Sequence, residues 1–183
     1  MKQAAPNIQF EYKSLVAITF VGYLGNVLGA AVGITFPEVS YQQLLCFQIG
    51  DAFAIMASVI AARYTGLRGQ HVAASAFILL GITHGLSLAS SGLDSFNVEK
   101  GITIIMPMIP SLFLLYWCTI FPAWLRLSGL VPIILFIYVY LHVMNGGVYY
   151  DTPVRAAYAS WMILELMWSY YIYKDWKNSA SAG

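Results

Sequence analysis

The chain has 183 residues, of which 60% are hydrophobic and 9% charged, with a formal net charge of +1 and a mean hydropathy of +0.71. A soluble domain carries charge on about a quarter of its residues, so this composition excludes a water-soluble fold. A net charge of +1 without a basic cluster also excludes nucleic acid as a partner.

A hydrocarbon core about 30 Å thick needs about 20 helical residues to cross it, with every backbone group satisfied inside the helix. Runs of that kind occupy residues 14–36, 42–63, 71–91, 102–121, 127–145 and 155–174. They are continuously apolar rather than alternating, which predicts helices and not an outer-membrane barrel. The expected architecture is an all-α, polytopic integral membrane protein: one domain, a six-helix transmembrane bundle over 14–174, flanked by segments 1–13 and 175–183. The end of the tail, 178–183, is small and polar and reads as disordered.

The first run follows Lys2 and Lys13 and passes the small residues Gly29, Ala30 and Ala31, as a secretory signal would. It continues to Phe36, longer than a signal's apolar region, and is taken as a spanning helix. Gly22, Gly25, Gly29 and Gly33 give it a nearly smooth face for close helix packing within the monomer or across an oligomer seam. The second run offers Ala54, Ser58 and Ala62, and the third Gly81 and Gly85, to the same kind of contact.

Ionisable residues inside a bilayer are costly, face the interior and are functional candidates by default. Asp51 lies in the second run, His84 late in the third, His142 late in the fifth and Glu165 in the sixth. At 1.5 Å rise per residue, the two acids lie roughly 15 Å below one membrane boundary and the two histidines roughly 5 to 10 Å below it. No lysine or arginine sits deep enough to neutralise the acids; Arg155 is the nearest candidate to reach inward. Pro107 and Pro110 in the fourth run each remove a backbone donor and predict a kink that shapes a cavity. Tyr138, one turn before His142, and Trp161, on one face with Glu165 and Trp168, are candidate pocket walls. Tyr149, Tyr150, Tyr171, Tyr173 and Trp176 read as interface anchors.

Lys2, Lys13, Arg63, Arg68, Arg126, Lys174 and Lys177 fall at one set of ends, and Lys100 and Arg155 at the other. Short cytoplasmic loops retain basic residues, so both termini are expected in the cytoplasm. The opposite loops carry Glu38, Asp94, Glu99 and Asp151. Compactness and the absence of an Asn-x-Ser/Thr acceptor point to a bacterial inner membrane. Cys46 and Cys118 stand near opposite ends of their helices and do not form a bridge.

No catalytic motif is present, so the function has to be read from the intramembrane polar residues. The leading expectation is a transport or channel-type protein that binds a small solute or proton in an outward-facing polar pocket. Asp51, Glu165, His84, His142, Trp161, Tyr138 and Arg155 would line that pathway. The alternative is a subunit of a larger electron-transfer complex, with one haem b held between His84 and His142. A homo-oligomer is compatible with both.

Overall fold

The computed structural model describes residues 8–38, 40–90, 98–147 and 152–181. Asp94, Tyr149, Tyr150 and Asp151 lie outside the described residues. Among those described there is no strand, and the helices are α1 (Ile8–Gly33), α2 (Tyr41–Leu67), α3 (His71–Ser90), α4 (Val98–Leu115), α5 (Ala123–Ser128), α6 (Leu130–Met144) and α7 (Thr152–Ser181).

Four stretches are long and apolar enough to cross a membrane: Glu11–Gly33, Tyr41–Leu67, His71–Ser90 and Ala123–Met144. The last joins α5 and α6 across Gly129. Pro132 explains the break, because it has no N–H to donate to the Ser128 carbonyl and its ring crowds that oxygen. In α4 the described apolar stretch is shorter, Met106–Leu115. The helix continues through Pro107 and Pro110 but stops at Leu115, before the expected end at 121. Tight turns follow, with Tyr116, Trp117 and Cys118 donating to carbonyls three residues back, and Pro122 disfavours helix at Phe121. Helix α7 dilutes its apolar residues with Arg155, Glu165, Lys174 and Asp175.

The tail differs from expectation, since α7 stays helical through Ser181. Arg68, just past the end of α2, anchors it: Nε donates to Asp175 Oδ2 at 2.8 Å and a terminal nitrogen to the Ser179 hydroxyl at 2.8 Å. The Tyr64 hydroxyl donates to the same Asp175 oxygen at 2.6 Å. Bonding to Asp175 holds the Arg68 guanidinium above its ordinary pKa, so the pairing persists wherever the carboxylate is ionised.

Neighbouring helices follow the cyclic order α1, α2, α3, α4, α6, α7, with α7 returning to α1. The α1 and α2 backbones approach most closely. A Cβ built on Gly22 would lie 2.8 Å from the Phe53 carbonyl oxygen, and one on Gly29 2.8 Å from that of Cys46. The glycine face of α1 therefore serves packing within the chain. Helix α3 does not repeat the device, because a Cβ on Gly81 would meet Ser58 at an ordinary 3.6 Å and one on Gly85 would meet nothing within 4 Å among the described residues.

Polarity is arranged as lipid requires. Phe20, Leu28, Val59, Ile78, Ile134 and Leu141 are exposed, whereas Thr19, Asn26, Ser58, Thr83, His84, Glu165 and Ser169 are buried. Soluble monomers seldom expose apolar patches beyond a few hundred Å². Cys46 and Cys118 are both free, as expected.

Replacing Gly22 or Gly29 with alanine is expected to cost about 1–3 kcal/mol through overpacking against backbone, measured as denaturant unfolding in mixed micelles. Gly85→Ala is expected to leave the unfolding midpoint close to wild type.

Candidate functional site

Four helices converge on one buried polar cluster. Asn26 on α1 lies toward the end where α1 leads into α2, Asp51 sits in the first half of α2, His84 in the second half of α3, and Glu165 in the first half of α7. Antiparallel packing carries all four toward the same end of the bundle. The His84 ring joins the acids: Nδ1 lies 2.9 Å from Asp51 Oδ1 and Nε2 lies 2.7 Å from Glu165 Oε1. The other Glu165 oxygen accepts a 2.7 Å hydrogen bond from the Asn26 side-chain amide. Side-chain exposure falls along the row, from 14% at Asp51 to 3% at His84 and 0% at Glu165.

Trp161 covers the imidazole. Its ring stacks on His84 with centroids 4.5 Å apart and planes 24° from parallel, and Phe136 and Tyr158 pack around it. The Trp161 indole N–H is buried and has no hydrogen-bond partner among the described residues. Leaving a donor in that state costs about 1–3 kcal/mol. Trp168, two turns further along α7, is enclosed by Phe77 and Phe121 and belongs to the core.

Of the residues expected at the site, Asp51, His84, Glu165 and Trp161 come together. His142 does not join them: it is half-buried at the end of α6, stacked on exposed Tyr138 and packed against Gly147. Helix α6 neighbours α4 and α7, so similar depth did not bring His142 to His84. Arg155 is exposed and pairs with Glu38 at the start of α2's connection instead of reaching inward. Pro107 is half-buried and Pro110 exposed on α4, and neither offers a side-chain donor or acceptor to the cluster's hydrogen bonds.

An axial haem ligand must offer iron a free imidazole lone pair. Both His84 nitrogens are bonded to carboxylates, so the two-histidine haem arrangement does not fit these residues. Among the described residues no group of three or more His, Cys, Asp and Glu side chains is arranged to hold a metal ion.

Asn26 escaped the sequence reading, which selected ionisable residues. The available signal was its position on the glycine face of α1, one turn from Gly22 and from Gly29, where a polar side chain has to enter the bundle.

The protons can be counted. Carboxylates accept only, so the bonds from Nδ1 and Nε2 each require one proton between nitrogen and oxygen. With those two protons the three groups carry a net charge of −1. A third proton makes the cluster neutral, and Asp51 Oδ2, on the least buried member, is the carboxylate oxygen not taken by His84 or Asn26. The chain matches no protein-family model, no curated protein and no solved structure.

Removing one member of a buried ion pair strands its partners and costs about 3–5 kcal/mol. His84→Ala is expected to destabilise the protein by that amount in mixed-micelle unfolding. Combining it with Asp51→Asn and Glu165→Gln is expected to recover part of the loss, a non-additivity that isolated packing residues would not show.

Proposed function

We propose that this is a six-crossing membrane protein, with both termini cytoplasmic, that moves protons through the Asp51, His84 and Glu165 row. The observation that carries the reading is a single imidazole bridging two carboxylates inside an apolar bundle. Imidazole accepts a proton on one nitrogen while releasing one from the other, so a proton arriving at Asp51 exits toward Glu165 without any side chain moving far. The fall in exposure along the row supports entry at Asp51 in this reading.

Two further features support the reading. A cluster of net charge −1 in low dielectric favours uptake of a proton and opposes any anion. An oxygen-ligated cation such as Na⁺ would need a cage of oxygens, whereas here the centre is a ring already bonded on both sides. Six crossings add α4 and α7 to the four apolar stretches, and the ring of neighbouring helices accommodates them as members of one bundle. With the basic residues inward, Asp51 lies in the outer half, and a small solute carried with the proton would meet the Trp161 donor beside His84.

The test uses the purified protein in liposomes containing pyranine, with a potassium gradient and valinomycin to set the potential. Wild type is expected to acidify or alkalise the lumen faster than protein-free vesicles. Asp51→Asn and Glu165→Gln are each expected to slow the flux at least tenfold while helix content is retained. Wild-type rates equal to empty vesicles, or variants as fast as wild type, would contradict the proposal.

A further inference from the structure

Glu165 presents its two oxygens to different partners. Oε1 lies 2.7 Å from His84 Nε2, and Oε2 accepts a 2.7 Å hydrogen bond from Asn26 Nδ2. Asn26 and Glu165 are both buried. The packing of α1 on α2 sets where Asn26 stands: its Oδ1 faces Gly50, where a built Cβ would lie 3.0 Å away, and Gly22 and Gly29 lie one turn to either side.

The direction of the Asn26 bond restricts where a proton can sit on Glu165. An amide nitrogen donates and does not accept. With a proton on Oε1, Oε2 is the carbonyl oxygen of the carboxyl group, a good acceptor, and the Asn26 bond is kept. With the proton on Oε2 instead, the amide faces a hydroxyl oxygen, a poorer acceptor, and Oε1 loses its place as the atom to be protonated. Packing alone does not call for an amide here, since leucine fills a similar volume with no polar group to bury.

We infer that Asn26 is a positioning residue for the Asp51, His84 and Glu165 row: by occupying Oε2 it keeps Oε1, the oxygen facing His84, as the Glu165 atom that receives the proton. The inference rests on the proton-transfer reading above. In the step it governs, the N–H bond at Nε2 breaks and an O–H bond forms at Oε1, while the O–H bond at Asp51 breaks and an N–H bond forms at Nδ1. Two bonds to hydrogen break, two form, and the negative charge passes from Glu165 to Asp51. Asn26 keeps both its amide protons throughout and acts only through Glu165.

The experiment compares wild type, Asn26→Leu, Asn26→Asp and the double variant Asn26→Leu with Glu165→Gln in pyranine-loaded liposomes, with infrared detection of carboxylic C=O bands as a second readout. Asn26→Leu leaves Oε2 without a donor, and is expected to slow flux about tenfold or more while helix content is retained. It is also expected to show a C=O band, absent from wild type, that the added Glu165→Gln removes. Asn26→Asp sets a second carboxyl against Oε2, where one bound proton restores a donor, and is expected to keep flux within about threefold of wild type. Wild-type flux in Asn26→Leu overturns this inference and leaves the proton reading intact. Slowed flux without the Glu165 band, or Asn26→Asp as slow as Asn26→Leu, makes Asn26 a packing contact and also overturns it. If Asn26→Leu does not fold, the flux of Asn26→Asp decides at the same threshold. Absence of flux in wild type overturns both readings at once.

Discussion

Everything in this bundle is arranged around one imidazole held between two carboxylates in a medium that cannot solvate them. Glu165 has no exposure and His84 almost none, so neither charge is tolerable alone. Each has a partner from a different helix. Asp51 comes from α2, Glu165 from α7, and Asn26 from α1 satisfies the remaining Glu165 oxygen. The polar cluster thereby pins four helices to one register, in a setting where apolar packing against lipid-like surroundings supplies little directional preference.

The close contact of α1 with α2 serves the same end. Glycines at 22 and 29 let the backbones approach, and that approach sets Asn26 beside Gly50, where a built Cβ would lie 3.0 Å from Asn26 Oδ1. Trp161 closes the imidazole from one side, and the Arg68 to Asp175 pairing holds α7 against α2 at the far end. Glu38 with Arg155 and Glu11 with Arg63 tie the two ends at the surface, where such pairs contribute little. The strong constraints are thus inside and the weak ones outside, the reverse of a soluble protein's polarity.

Much of this was legible in the residues. The apolar runs located the helices, with ends that differ by up to seven residues, and Asp51, His84 and Glu165 stood out because ionisable groups at such depth are costly. What periodicity does not contain is which helices are neighbours. Depth alone grouped His142 with His84, but α6 lies between α4 and α7, and His142 ends against Tyr138 and Gly147. Arg155 was given an inward reach because no lysine or arginine lies deeper beside the buried acids; in the bundle it pairs with Glu38. The early end of α4 and the break before α6 were readable at Pro122 and Pro132. The helical tail was not, because it depends on Arg68 from another helix.

The central claim is that both nitrogens of the His84 ring share protons with carboxylates inside the bundle. The chain has three histidines, so solid-state NMR of 15N-histidine-labelled protein in lipid bilayers resolves them, with His84→Gln to assign the signal. The account expects one histidine at neutral pH whose two nitrogens are both protonated and strongly hydrogen-bonded, and whose signals persist when the bulk pH is raised by one unit. A His84 spectrum with one bare, unprotonated nitrogen following bulk pH would contradict the account, because the row from Asp51 to Glu165 would then be broken at its centre.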